Sequence, residues 1–235
     1  MVRVFIQNKK CGIEEFFKLV GTDSKVATVM ACCKGRSLTL PELRDTLGDE
    51  VDDNALAKRL MEFTRAGVID RVSFSGGGTA ETHYRVTQKS VDMLPALNAM
   101  QRFYETYHTP EPGEEESGPY AWMEYVRQLL GSKWNARIIW LLFVLRRMRF
   151  GELKDSIEGV SFKMLTQQLK LLENAGVVRR EEIDDVVLHT EYSLTRKGED
   201  LYGVLLEISL WDGKHVRAKL NPDEKNDRIH FDLSL

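Results

Sequence analysis

The stretch that decides the fold is Gly151-Glu-Leu-Lys-Asp-Ser-Ile-Glu-Gly-Val-Ser-Phe-Lys-Met-Leu-Thr-Gln-Gln-Leu-Lys-Leu-Leu-Glu-Asn-Ala-Gly-Val-Val-Arg-Arg180. It reads as a short helix, a turn, and a longer second helix that ends at a glycine before a strand. Ser161 stands where an N-cap belongs, because its hydroxyl can accept from a free amide of the first turn. Leu165, Leu169 and Leu172 recur at helical spacing and form the buried stripe. Lys163, Thr166, Gln167 and Lys170 fall on the other side, with no carboxylate there until Glu173. Gly176 suits the left-handed position that closes a helix. A helix buried on one side and rich in Lys, Thr and Gln on the other can enter a major groove. Taken alone, the stretch fits an ordinary amphipathic surface helix equally well.

Working outward, 235 residues suffice for one or two domains, each with its own core. Hydrophobic content of 43% and charged content of 29% describe a soluble globular protein. The longest apolar run, Ile138 to Leu145, is too short to span a bilayer. The first ten residues lack the order of a signal peptide, since charge follows the short apolar segment. The expected location is cytoplasmic, without membrane contact. A net charge of −3 and a pI near 6.0 exclude a protein coated in positive charge but leave room for a local basic patch. Three cysteines, Cys11, Cys32 and Cys33, supply no disulfide framework. The histidines (His83, His108, His189, His215, His230) show no metal-ligand spacing. No metal or cofactor is therefore expected. No glycine-rich phosphate loop, nucleophile elbow, HExxH or paired Cys-x-x-Cys occurs, so enzyme chemistry is not expected either. Asp184-Asp185 and Glu114-Glu-Glu116 read as solvated loop charge.

In order, Val2 to Ile6 reads as a short strand, and helices follow over Ile13 to Val20 and Lys25 to Lys34. Pro41 opens a short helix at its tolerated first turn. Asp52 or Asp53 caps a longer helix ending at Gly67. Val68 to Phe74 and Thr82 to Val86 read as strands joined by a flexible tip, Ser75-Gly-Gly-Gly-Thr-Ala. Thr87 caps a helix over Gln88 to about Tyr107. Residues 109–118 are acidic, rich in proline and glycine, and without an apolar residue, so they read as an interdomain linker.

The same order then repeats: helices over Tyr120 to Leu130 and Lys133 to Leu145, the short helix from Phe150, the longer one from Ser161 to Ala175, strands over Val177 to Glu181 and Glu191 to Leu194, and a closing helix from Thr195 through Trp211. Ala66-Gly67-Val68 matches Ala175-Gly176-Val177, and Tyr84-Arg-Val-Thr matches Tyr192-Ser-Leu-Thr. This is the signature of an internal duplication. The expected domains are 1–108, the linker 109–118, 119–211, and a polar tail 212–235. At the end of that tail Ile229, Phe231, Leu233 and Leu235 alternate with polar residues as a one-faced strand does, with Val2 to Ile6 as its candidate partner.

The second half resembles the HxlR-type, MarR-like winged helix-turn-helix transcriptional regulators. The resemblance lies in Gly131-Ser-Lys-Trp134, Arg149-Phe-Gly-Glu-Leu153, Lys163-Met-Leu-Thr-Gln-Gln-Leu169, Leu172-Glu-Asn-Ala-Gly176 with Val178, and Glu191-Tyr-Ser-Leu-Thr-Arg-Lys-Gly198. It covers about Ala121 to Trp211. The first half resembles the family more weakly, through Cys11-Gly-Ile-Glu, Leu19-Val-Gly, Pro41-Glu-Leu, Ala66-Gly-Val and Tyr84-Arg-Val-Thr. The resemblance implies a mainly α fold with small β-hairpin wings (α+β), arranged as tandem winged helix-turn-helix domains. It implies cytoplasmic regulators that dimerise through terminal helices and set two recognition helices in successive major grooves. With both copies in one chain, it implies a pseudo-dimer or a larger assembly.

Charge separates the two copies. The window from Lys133 to Arg180 holds ten basic and four acidic residues, whereas Lys25 to Arg71 holds eight of each. Neutralising phosphates carries much of DNA affinity, so the second copy is the better DNA-binding candidate. Its expected duplex contacts are Lys163, Thr166, Gln167 and Lys170 near base edges, Ser161 at the phosphate-facing helix end, Arg179 and Arg180 beside the backbone, and Arg149. The acidic wing tip, Glu181-Glu-Ile-Asp-Asp, argues against insertion into a minor groove. In the first copy the matching face is Asn54, Ala57, Lys58 and Met61, and Asp52 stands where the second copy has Ser161. Met61 there suggests a protein contact. Cys11 matches a cysteine that some family members use to sense oxidants, and nearby Lys9 and Lys10 would favour a thiolate; the plainer reading is an ordinary thiol. Cys32 and Cys33 read as core. Two functions remain: a DNA-binding transcriptional regulator, monomeric or homodimeric, or a winged-helix protein-interaction adaptor.

Overall fold

The computed structural model describes residues 12–35, 37–48, 52–76, 79–109, 118–184 and 188–216. The terminal strands, Cys11, most of the linker and part of the second wing tip lie outside the described residues. The first half comprises α1 (Gly12–Val20), α2 (Asp23–Gly35), β1 (Ser37–Thr39), α3 (Leu40–Leu47), α4 (Asp53–Arg65), β2 (Ile69–Gly76), β3 (Thr79–Val86), α5 (Gln88–Val91) and α6 (Leu94–Tyr107). The second comprises α7 (Ala121–Leu130), α8 (Lys133–Leu145), β4 (Arg147–Arg149), α9 (Phe150–Ser156), α10 (Phe162–Asn174), β5 (Val178–Ile183), β6 (His189–Leu194) and α11 (Arg196–His215). The molecule is mainly helical with two small antiparallel sheets, ordered β1-β3-β2 and β4-β6-β5. A helix pair followed by a hairpin that pairs back onto a short leading strand is the winged helix-turn-helix arrangement.

The same local devices build both halves. The amide that ends the leading strand donates to a glutamate one turn into the following helix, Thr39 N to Glu42 Oε2 at 2.7 Å and Arg149 N to Glu152 Oε2 at 2.7 Å. An oxygen-bearing side chain caps the longer helix: Asp52 accepts from Ala55 N at 2.7 Å and Ser161 from Met164 N at 3.1 Å. Each such cap contributes about 1 kcal/mol. Both helices end at a glycine of positive φ, Gly67 at 67° and Gly176 at 69°, where a side chain would be strained. Leu56, Leu60 and Phe63 are buried in α4, as Leu165, Leu169 and Leu172 are in α10. Burying each of these side chains stabilises by roughly 1.5–3 kcal/mol.

The structure departs from the sequence reading at five points. The leading strands β1 and β4 escape a reading based on alternation, because three residues are too few to show a period. They exist through pairing, Leu38 opposite Tyr84 and Met148 opposite Tyr192. The first hairpin stays paired to Gly76 opposite Thr79, so its tip is shorter than the six residues expected. The helix expected over Gln88 to Tyr107 is two helices, because Pro95 near the start of α6 has no amide to donate to the carbonyl of Val91. Thr87 does not cap it; its hydroxyl donates to the carbonyls of Gly67 at 2.7 Å and Val68 at 3.0 Å. Lastly, α11 runs past Trp211 to His215.

The buried residues of both halves form one cluster. Helix α11 packs on α6, α1 and α8, α6 on α7, and α2 on α7. Tyr107 donates to Asp200 at 2.5 Å, and Trp211 Nε1 donates to the Lys89 carbonyl at 3.1 Å. Among the described residues no helix is long and apolar enough to cross a membrane.

The start of α11 is packed to the limit. A Cβ on Gly198 would lie 2.2 Å from the Val177 carbonyl oxygen and 3.1 Å from Leu194 Cβ. The matching position of the first half is Ser90, whose hydroxyl donates to the matching carbonyl of Val68. Gly198→Ala is expected to lower stability by about 1–3 kcal/mol, since backbone must move. Urea unfolding measures this, and an unchanged midpoint would show that α11 shifts freely.

Candidate nucleic-acid interface

The surface is assembled from three pieces: α10, the start of α9, and the sheet β4-β6-β5. On α10, Lys163, Thr166, Gln167 and Lys170 are all exposed, one above another at spacings of three and four residues. Among the described residues, neither Lys163 nor Lys170 takes part in an ion pair. The Thr166 hydroxyl donates to the Phe162 carbonyl at 2.8 Å, so its free lone pairs point outward as acceptors. The Ser161 hydroxyl is already engaged with the Met164 amide, so any phosphate at this end would meet the remaining free amides of the first turn.

The sheet divides the arginines. Successive strand residues face opposite sides, so Arg179 and Arg180 point apart. Arg179 shares a face with Arg147, opposite Ser193, and with Arg149, opposite Glu191. On that face Arg147 meets Glu181 at 3.0 Å and Glu191 at 3.7 Å, and Arg179 meets Glu181 at 3.4 Å. Arg149 Nη2 lies 3.0 Å from His189 Nε2, which is also 3.2 Å from Glu191. Arg180 lies on the other face, where the Glu182 carboxylate at 3.0 Å holds its guanidinium above the usual range. Of the three arginines expected to contact the duplex, Arg149 and Arg179 share a face and Arg180 does not.

Two residues of this surface were missed by sequence reasoning. Arg147 joins the arginine face, and its signal was Arg147-Met148-Arg149, an exposed–buried–exposed triplet. Phe162, the first residue of α10, is 67% exposed. Its only sequence signal was an aromatic placed off the leucine stripe.

In the first half, Asp53 at the start of α4 pairs with Arg44 at 3.0 Å, and Lys25 pairs with Glu62 at 2.9 Å. Met61 on the outer face of α4 is 54% exposed. Arg59 turns inward to donate to Thr28 Oγ1 at 3.0 Å, and burial lowers its pKa. Cys32 is buried and its thiol is pushed up to about 12, chiefly by desolvation; Cys33 is raised by the same cause. Neither is a thiolate at neutral pH. Among the described residues no group of three or more metal-ligating side chains gathers.

The model of the HxlR-like helix-turn-helix family matches residues 129–220, which hold the whole of this surface. The chain is 40% identical over 88 residues to the HTH-type transcriptional regulator YdzF of Bacillus subtilis (strain 168), covering 37% of this chain and 81% of YdzF. It is 37% identical over 89 residues to the HTH-type transcriptional regulator YodB of the same organism, covering 38% of this chain and 79% of YodB. The solved reduced form of YodB from B. subtilis aligns with a TM-score of 0.38 and 35% identity, over 40% of this chain and 91% of that one. On the strength of the sequence matches, the chain belongs to the HxlR-like helix-turn-helix family.

Proposed function

We propose that this protein is a DNA-binding transcriptional regulator that places α10 in a major groove. Lys163, Thr166, Gln167 and Lys170 face base edges, Ser161 marks the phosphate-facing helix end, and Arg149 and Arg179 flank the backbone. Arg180 contributes from the opposite face of the wing. The observation that carries this reading is the face of α10, where two lysines without carboxylate partners among the described residues stand beside Thr166 and Gln167. Its relatives' names as HTH-type transcriptional regulators support the same reading. The units 1–108 and 119–211, joined by 109–118, form a single-chain pseudo-dimer, supported by the core that both halves share. Whether the pseudo-dimer acts alone or as a homodimer, α4 is the weaker partner in DNA contact. The protein works in the cytoplasm without a cofactor, and Cys11 is its candidate redox sensor.

Salt dependence tests this reading. Each neutralised phosphate contributes about −0.9 to the slope of log K against log salt, so duplex binding is expected to show a slope of roughly −3 to −5. A slope near zero would remove the phosphate-neutralising face.

A protein-interaction adaptor is the second reading. It is favoured by the exposed Met61 on α4 and by the carboxylates paired to the wing arginines. A stoichiometric protein partner without salt-dependent DNA binding would establish it.

A further inference from the structure

Phe162 is a large apolar side chain that the fold leaves exposed. Two-thirds of it is open to solvent, and it lies outside the apolar cluster against which Phe150 packs. Its ring stacks on Phe150, with centroids 5.7 Å apart and planes 22° apart, and Lys154 Nζ lies 5.5 Å from its centroid. Phe150 opens α9 and Phe162 opens α10, so the pair ties together the first turns of both helices of the motif. The stack holds the outer ring at the end of α10 whose residues reach base edges when a recognition helix docks. Lys154 beside the ring and Lys163, next to it in the chain, are cationic and suit a polyanion, with Glu152 the carboxylate of the same α9 turn. In the first half the same position is Asp53, which is paired with Arg44. The aromatic is thus particular to the half with the open cationic helix.

We propose that Phe162 is a specificity-determining residue that reads the C5-methyl group of a thymine in the major groove. Thymine is the base whose major-groove edge carries a methyl, and an aromatic ring is a suitable apolar partner for it. The Phe150 stack makes the ring a pre-positioned contact, so little side-chain freedom is lost on docking. This inference rests on α10 entering a major groove.

The test uses the full chain and duplexes that it selects from a random-sequence pool, read by fluorescence anisotropy. Each thymine is replaced singly by uracil, which keeps the pairing and removes the methyl. At one thymine per bound half-site, the replacement is expected to weaken wild-type binding about fourfold, the equivalent of about 0.8 kcal/mol for one buried methyl-sized group. Phe162→Ala should bind the two duplexes alike, Phe162→Leu should keep part of the difference, and Lys163→Ala should keep all of it while binding both more weakly. A Phe162→Ala protein that still distinguishes thymine from uracil overturns the proposal. So does a wild-type protein that selects a sequence yet ignores every thymine methyl. If the wild-type protein selects no duplex at all, the groove-docking of α10 falls as well, and the two failures are told apart by that one measurement.

Discussion

Replacing Lys163, Gln167 and Lys170 together by alanine is expected to weaken duplex binding at least about a hundredfold, because each base-edge or phosphate contact of this kind is worth roughly 1–3 kcal/mol. The three side chains are exposed and stand clear of the leucine stripe that anchors α10. Their loss should therefore leave the melting temperature unchanged, since surface substitutions away from special features stay within about 0.5 kcal/mol. The slope against salt should flatten by about 0.9 for each lysine that neutralises a phosphate. Substituting the matching positions of the first half, Asn54, Lys58 and Met61, should change duplex affinity little, because Asp52 and Asp53 stand at that helix end and repel phosphate. A gel-shift series on selected fragments measures the affinities and the salt slope, and thermal unfolding measures the melting temperature. Unchanged binding by the triple variant would end the role of α10, and a large loss from the first-half variant would make α4 an equal partner.

The helices and their order could be read because each carried a strong local signal. Ser161, the three leucines and Gly176 all point to one helix, and consistent signals of this kind specify structure well. The leading strands could not be read, because they are made by pairing with residues some forty-five positions away, Leu38 with Tyr84 and Met148 with Tyr192. The break before α6 is legible in Pro95, which has no amide to donate to the Val91 carbonyl.

The charge asymmetry was legible in sign but not in size. The window ending at Arg180 stops one residue short of Glu181 and Glu182, and the sheet brings Glu191 back beside Arg147 and Arg149. Arg146 likewise meets Glu199 at 3.5 Å. The wing arginines are therefore largely matched by carboxylates, and the uncompensated charge is concentrated on α10. Exposed pairs of this type are worth little in stability. A phosphate must compete with them for each guanidinium, so the wing adds less to affinity than its arginine count suggests.

The largest effect on folding is expected from Trp211→Ala. Trp211 is 1% exposed, meets Phe16 of α1 edge-on at 5.2 Å, and donates through Nε1 to the Lys89 carbonyl just after β3. Lys89 Nζ lies 5.5 Å from the Trp211 ring centroid and donates to the Ala66 carbonyl at 2.9 Å. One side chain near the end of α11 thus fills space between elements of the other half. Truncating a buried tryptophan costs about 3–5 kcal/mol, a large share of the roughly 5–15 kcal/mol that holds a domain folded. Trp211→Phe separates the contributions: it keeps most of the ring and removes only the donor, so it should lose about 1 kcal/mol, the net worth of one hydrogen bond. Urea unfolding followed by circular dichroism gives both numbers. Because the halves share this core, the wild-type protein should unfold in one transition and Trp211→Ala in two, as the second half's hold on α1 and α5 is lost. A Trp211→Ala stability within 1 kcal/mol of wild type, about the effect of an ordinary substitution, would mean that the two halves fold without leaning on each other, and the proposed single-chain pseudo-dimer would lose its support.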